Sequence, residues 1–271
     1  MAELRKEQGN DSLQKLPTAE LVRLGQDHLA AGRTGVARLH FAVALEREPS
    51  STEALFGLGE CLRRETETQG AVQIFTLVVK NDPDHVGAML ALARIYRSQG
   101  NYDLSLEWAG KALFKAPDAP EILTEMAVTS SHMGRDPMAE PMFRQVAELK
   151  PEQASSHNNL GFNYLLQGKH DKAIESFSRA LAIEPRNRML QNNLATAYFL
   201  NGEETRAKEI FIKTLGEAAA WNNLGYLYMT QGKWEKSEQA LKKAVDLNPQ
   251  LYMRARENLA RLADLREKAG R

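Results

Sequence analysis

The sequence repeats itself with a period of 34 residues. Proline recurs at this step, and glycine, alanine and phenylalanine keep the same step at positions of their own. These markers are Pro49, Pro83, Pro117, Pro151 and Pro185; Gly32, Gly100, Gly134, Gly168 and Gly202; Ala37, Ala71, Ala139, Ala173 and Ala207; and Phe41, Phe75, Phe143, Phe177 and Phe211. A fixed period of this length is typical of an array of small units, each of which covers the apolar face of its neighbour.

The markers divide the chain into seven repeats, which start near residues 18, 52, 86, 120, 154, 188 and 218. The sixth repeat is shortened, because Asn193 and Asn223 are 30 residues apart whereas Asn159 and Asn193 are 34 apart. Four residues are about one helical turn, so the helix faces keep their phase despite the deletion. We expect Gly216 to end one helix and the seventh repeat to begin directly after it.

Each marker has a physical role in a pair of antiparallel helices. Glycine near the middle of a repeat favours the left-handed backbone that ends a first helix, and the later proline stops the second helix. A small residue on the first helix, such as Gly59, lets a neighbouring helix approach closely. The pattern therefore predicts helix pairs that stack into an all-α solenoid.

These motifs resemble the tetratricopeptide repeat (TPR) pattern, W-x2-L-G-x2-Y followed by A-x3-F and P. The seventh repeat carries the first part as Trp221, Leu224, Gly225 and Tyr228. The resemblance implies a right-handed TPR superhelix over residues 18–251, after a polar lead-in over 1–17. We interpret residues 252–271, where leucines at helical spacing lie among many charges, as a capping helix and tail.

Composition and motifs argue against several functional classes. Lys+Arg and Asp+Glu are both 35, so this neutral chain is not expected to bind nucleic acid. No apolar run approaches the ~20 residues of a membrane-spanning helix, and the single Cys61 excludes an intramolecular disulfide framework. The histidines lack the spacing of a zinc motif, and no Gly-rich phosphate loop appears. We expect no enzyme, no metal and no cofactor, but a protein that binds another protein.

In TPR superhelices the first helix of each pair faces an inner groove, and the resemblance places a row of asparagines there. The groove residues that we predict are Asn158, Asn159, Phe162, Asn192, Asn193, Phe199, Asn222, Asn223 and Tyr226, with Asn258 as a fourth rung if the last loop is one residue longer. The row resembles the asparagine ladders of peptide-binding TPR superhelices, which implies contact with the backbone of an extended peptide. A structural role stays open, because such asparagines also cap turns or bond to the neighbouring repeat.

The N-terminal half has a different lining, in which arginines lie at other positions of the predicted groove face. Arg63, Arg64, Arg94 and Arg97 fall at groove positions of the second and third repeats, with Glu60 nearby. Guanidinium groups on adjacent repeats are suited to hold a carboxylate or an acidic stretch. The alternative that we favour is a solvated face with local ion pairs such as Glu60–Arg64.

The C-terminal repeats resemble the TPR proteins of bacterial tight-adherence (Flp) pilus assembly, of the TadD type. The resemblance lies in the run GEAAAWNNLGYLYMTQGKWEKSEQALKKAV and in the shortened repeat before it. It implies a scaffold that binds an extended segment of a pilus or secretion-system component, in pilus or secretin assembly. Two alternatives stay open, which are self-association through the convex face and the role of a general cytoplasmic adaptor.

The compartment is open at this stage. Proteins of the TadD type are usually outer-membrane lipoproteins, whereas no signal peptide or lipobox cysteine precedes the repeats here. We expect a cytoplasmic chain as written, or a periplasmic, outer-membrane-anchored lipoprotein if a leader has been removed.

Overall fold

The computed structural model describes residues 13–248 and 252–269, and from Thr18 onwards these residues form fifteen α-helices and no β-strand. The lead-in before residue 13, Pro249 with its neighbours 250–251, and the last two residues of the predicted tail lie outside the described residues. The helices are α1 Thr18–Ala30, α2 Thr34–Arg47, α3 Thr52–Arg64, α4 Thr68–Asn81, α5 Val86–Ser98, α6 Tyr102–Lys115, α7 Pro120–His132, α8 Asp136–Leu149, α9 Ala154–Leu166, α10 His170–Ile183, α11 Arg188–Leu200, α12 Glu204–Leu215, α13 Glu217–Thr230, α14 Trp234–Leu247 and α15 Tyr252–Ala269. The predicted all-α solenoid of paired helices is confirmed.

A three-residue turn joins the two helices of a pair, as between α1 and α2, and so short a link makes them antiparallel. Its central glycine adopts a positive φ, 73° at Gly32 and 69° at Gly168, which a residue with a side chain seldom does. The next backbone N–H, that of Arg33, then reaches back 2.9 Å to the carbonyl oxygen of His28. This contact satisfies a carbonyl that the end of the helix would leave without a partner.

The chain divides into two compact units, with the boundary after Gly134. The N-terminal unit contains α1–α7 and the C-terminal unit contains α8–α15. In the C-terminal unit the last helix, α15, packs on the preceding pair, and we refer to it as the cap: Leu262 of α15 is buried in one cluster with Met229 and Leu241. This packing covers an apolar face of the preceding pair.

Large side chains of second helices pack directly against glycines of first helices. A Cβ added to Gly59 would lie 2.6 Å from the ring of Phe75, and one added to Gly161 would lie 2.9 Å from the ring of Phe177. Both rings are completely buried. The absence of a side chain at these glycines therefore sets the distance between helices, as the sequence pattern predicts.

The second repeat departs from the glycine rule at its turn. Thr66, one full period after Gly32, has a φ of 63°. Among the residues that the structure describes, it is the only non-glycine residue with a positive φ. Arg38 of α2 pairs with the residues on either side of it, at 2.7 Å from Glu65 and 2.9 Å from Glu67. These two ion pairs hold a turn whose backbone a β-branched residue disfavours.

The shortened sixth repeat has the tightest junction of the described helices. Gly216, with a φ of 85°, is the single residue between α12 and α13, so it is the C-cap of one helix and the N-cap of the other. Its carbonyl oxygen accepts the N–H of Ala220 at 3.0 Å, so the new helix begins at once. Gly216 therefore ends α12 as expected, and α13 starts one residue before the expected position.

Candidate functional site

Asparagine side chains of successive repeats are bonded to one another in the C-terminal unit. Each bond joins a first helix to the next first helix, or to the cap α15. The donor and acceptor pairs are Asn193 to Asn158 at 2.8 Å, Asn223 to Asn192 at 3.2 Å, and Asn258 to Asn222 at 3.0 Å. We call these six side chains the asparagine ladder.

The ladder has one register throughout. The donor is always the second asparagine of an Asn-Asn pair or its equivalent, and the acceptor is the first asparagine of the preceding repeat. Asn258 makes the same kind of bond although its spacing differs by one residue: it lies 36 residues after its acceptor, whereas Asn193 lies 35 residues after Asn158. The extra residue lies in the helix itself, because Asn258 is the seventh residue of α15 whereas Asn193 is the sixth of α11. Asn159 lies half-buried on α9 beside the first rung.

Each ladder bond uses only part of an amide group. A carboxamide has two N–H donors and an oxygen that accepts two bonds. Among the described residues, Asn192 therefore retains both of its N–H donors, and Asn223 retains one donor and its oxygen. The ladder side chains are half-buried, and none of their polar atoms is enclosed without a partner. The remaining donors and acceptors can bind solvent or a ligand.

Two of the three predicted aromatic contacts are available next to the ladder. Phe162 of α9 is 53% exposed and Tyr226 of α13 is 39% exposed. The prediction for Phe199 is wrong, since this side chain is 1% exposed and its ring packs edge-on against Tyr228 at 5.0 Å. Phe199 on α11 thus contacts the adjacent helix pair. The buried Met229 on α13 packs with Leu241 of its own pair and with Leu262 of α15.

The predicted arginine contacts of the third repeat are engaged within the protein. The Nε of Arg97 lies 2.5 Å from one carboxylate oxygen of Glu125, and the Nε of Arg94 lies 3.8 Å from the other. Glu125, on α7, is 5% exposed. Glu125 was not among the predicted site residues, although it stands one repeat later on the predicted groove face and carries the opposite charge.

The arginines of the second repeat also have internal partners. Arg63 holds Glu60 with two contacts of 3.1 and 2.8 Å, and this side-chain bond raises the pKa of the guanidinium. Arg64 donates to the backbone carbonyl of Leu29 instead of forming the expected pair with Glu60. The interpretation as local pairing fits this geometry, and an open anion site built from these arginines gains no support from it.

The single cysteine of the chain lies in surroundings that bear on its reactivity. Cys61 is completely buried on α3, and burial raises its pKa to about 11, which disfavours the nucleophilic thiolate at neutral pH. Within residues 13–248 and 252–269, no three His, Cys, Asp or Glu side chains are placed to hold a metal ion. No described helix combines the length and apolar character that crossing a membrane requires.

Comparison with known families gives one consistent result. Three sequence models, each described as "Tetratricopeptide repeat", match residues 22–86, residues 62–127, and residues 154–187 together with 218–251. Together they cover more than half of the chain. The matched stretches include α9 and α13, two of the helices that carry the ladder.

Known relatives are similar over part of their length. Human protein O-mannosyl-transferase TMTC1 is 26% identical over 62% of this chain and 20% of that protein. The tetratricopeptide repeat and J domain-containing co-chaperone DNJ1 of Fusarium oxysporum is 30% identical over 44% of this chain and 23% of that protein. The chain thus spans about a fifth of the length of these relatives. A tetratricopeptide repeat protein of Parabacteroides merdae has the same fold, with a TM-score of 0.65, 19% identity, and coverage of 89% of this chain and 98% of that one.

Proposed function

The chain belongs to the tetratricopeptide repeat family, whose members generally mediate protein–protein interactions, and from this premise we propose that its asparagine ladder holds an extended segment of a partner protein. The observation that carries the proposal is the row of amide groups with unused donors and acceptors. That row runs across three repeats and the cap, beside the exposed side chains of Phe162 and Tyr226.

The mutual bonds of the ladder favour this role. A ligand that fixes a free asparagine side chain loses binding free energy to side-chain ordering, at roughly 0.5–1.5 kcal/mol per group. Here the carboxamides are already held by one bond each, so less ordering is left for the ligand to impose. The bonds leave the side-chain N–H groups of Asn158, Asn192 and Asn222 unused on three successive repeats, and such donors can bind carbonyl oxygens of an extended backbone.

The aromatic side chains provide contact area of a different kind. Amide groups that bind the backbone do not distinguish one sequence from another. Phe162 and Tyr226 are rigid and partly exposed, and such side chains often supply much of the binding free energy of an interface. We propose that they select apolar side chains of the partner, while the ladder binds its backbone.

A substitution can separate binding from structure at the ladder. Replacing Asn158, Asn192 and Asn222 by Asp keeps the oxygen that accepts each ladder bond but removes the free N–H donors. We expect this triple variant to remain folded and to lose capture of extended peptides from a displayed library. Asn101→Asp, the same change at an exposed turn of the N-terminal unit, is the matched control.

The opposite outcome is equally clear. If the ladder only ties repeats together, the triple Asp variant will capture the same peptides as the wild-type chain. Replacement of Asn193, Asn223 and Asn258 by Ala, which removes the ladder donors, will then lower the urea midpoint without changing the set of captured peptides. That pair of results would assign the ladder a purely structural role.

The narrower role that we propose is the assembly of a tight-adherence (Flp) pilus or of its secretin. Its support is the sequence resemblance of the C-terminal repeats, which include the ladder residues Asn222 and Asn223. A transferase activity, which the name of the human relative states, is not part of this proposal, since the match covers 20% of that protein. Co-purification with pilin or secretin subunits tests the narrower role, and binding to unrelated proteins alone would favour the general adaptor.

A further inference from the structure

An apolar recess lies on the second helices of the N-terminal unit, outside the asparagine ladder. It has a volume of about 540 Å³ and is formed between α4 and α6, with a contribution from α5. Its walls include Val79, Met89, Trp108, Gly110 and Phe114. The proposed peptide-binding function makes no use of this surface.

The recess occurs where the third repeat departs from the pattern of the others. Other repeats have a large buried ring at one position of the second helix, as at Phe75 and Phe177, but the third repeat has Ala109 there. Ala109 is completely buried, and the half-buried Trp108 at the adjacent position lines the recess instead. Beside it, a Cβ on Gly110 would meet no atom within 4 Å. The missing side chain of Gly110 leaves this part of the recess open.

A protruding aromatic ring stands at the edge of the same recess. Phe114 is 81% exposed, which is the highest exposure of the large apolar side chains that the structure describes. The equivalent position carries Glu46, Lys80, Glu148 and Asp246 in other repeats, so the fold itself does not require an apolar residue there. An exposed aromatic next to an apolar recess is typical of a contact surface.

The charges around the recess balance one another. Lys111 lies 2.7 Å from Glu107 and 4.2 Å from the centre of the Trp108 ring, and Lys115 pairs with Asp84. Each of these four charged groups is at least a third exposed. A strongly acidic or strongly basic partner would therefore find no net opposite charge. A surface with the same two cations and two anions can exchange these pairs across a two-fold axis.

We propose that this surface docks a second copy of the chain, with Phe114 of each copy entering the recess of the other. A two-fold contact requires one patch that is complementary to itself. This patch contains a protrusion, a recess and both signs of charge. One ring and one recess per chain bury little area, which is the range of transient contacts. We expect association to be visible only at high micromolar concentration.

The test is sedimentation velocity of the full chain from low to high micromolar concentration. The sedimentation coefficient of the wild-type chain should rise with concentration. Phe114→Lys, which introduces the residue that Lys80 supplies one repeat earlier, should abolish the rise. Gly110→Arg, which introduces the equivalent of Arg144, should abolish it by filling the recess. Leu39→Lys, at a 46% exposed apolar position on α2, is the matched control and should behave as wild type.

A second measurement locates the contact. In an isotope-labelled wild-type chain, the indole resonance of Trp108 should shift when unlabelled wild-type chain is added, and much less when unlabelled Phe114→Lys is added. Trp221 and Trp234, which do not line the recess, should stay in place. A wild-type chain that is monomeric throughout, or equal loss of association in Leu39→Lys, would overturn the proposal. Capture of a different protein by a monomeric chain would overturn it too.

Discussion

Arg97 on α5 closes onto Glu125 on α7, with its Nε 2.5 Å and its Nη2 3.4 Å from the two carboxylate oxygens. The glutamate is 5% exposed, so its charge has little access to water. The arginine therefore compensates a carboxylate that would otherwise be costly to bury.

Removal of this arginine should destabilise the protein far more than removal of its neighbour. We expect Arg97→Met to lower the free energy of unfolding by about 1–3 kcal/mol, because a buried carboxylate loses two charged hydrogen bonds. Arg94→Met, which removes a longer and more exposed contact, should cost about 0.5 kcal/mol or less. Urea unfolding followed by circular dichroism measures both. Equal effects would show that Glu125 does not depend on Arg97.

Thr66 should be a position where glycine is stabilising. Its φ of 63° places a β-branched residue in left-handed backbone, at a cost of roughly 1–2 kcal/mol. Glycine removes that cost but gives more freedom to the unfolded chain, so we expect Thr66→Gly to gain about 1 kcal/mol. The control is Thr76→Gly, an exposed position within α4, which should lose roughly 0.3 kcal/mol because threonine is itself a poor helix former. Thermal unfolding of the two variants should give shifts of opposite sign.

Glycines within the helices differ in what surrounds them. A Cβ on Gly57 would lie 2.3 Å from the buried ring of Phe41, whereas one on Gly110 would meet nothing within 4 Å. We expect Gly57→Ala to destabilise by about 1–3 kcal/mol through overpacking. Gly110→Ala should stabilise by about 0.5–1 kcal/mol, since alanine is the better helix former. If the clash is the cause, adding Phe41→Leu to Gly57→Ala will restore part of the urea midpoint.

The sequence was sufficient to predict the paired helices because their ends are marked locally. Glycine at a left-handed turn and proline after a helix each have a direct conformational cause, and Gly32 and Gly168 adopt the expected backbone. Thr66 was not predicted to do so, because threonine carries no signal for positive φ. There the ion pairs of Arg38, which come from another helix, hold the turn.

The sequence predicted which helix face carries the candidate site, but not which side chains on that face contact one another. Helical periodicity puts Asn158, Asn192 and Asn222 on equivalent positions, yet it does not say that asparagines bond to one another. Periodicity also failed for Phe199. The position is open to the groove in one repeat, but in the repeat that carries Phe199 it is covered by Tyr228 of the adjacent helix pair. Such coverage depends on packing between repeats, which a single period does not contain.

Stability should depend on pH through Tyr228 and Glu204, whose hydroxyl and carboxylate oxygens are 2.6 Å apart. The hydrogen bond from Tyr228 lowers the pKa of Glu204 below its usual 4.5, so its contribution is present above that pH and is lost as pH falls through the folded pKa. Burial first, and then the same bond, raises the pKa of Tyr228 above its usual 10.0, so that contribution is complete below pH 10 and declines as pH rises beyond it. We expect Tyr228→Phe to be less stable than wild type near neutral pH, with the difference shrinking towards both extremes. Urea midpoints measured across the pH range test this. If the difference in midpoint between the two proteins is constant with pH, the hydroxyl stabilises the fold through its packing and not through its hydrogen bond to Glu204.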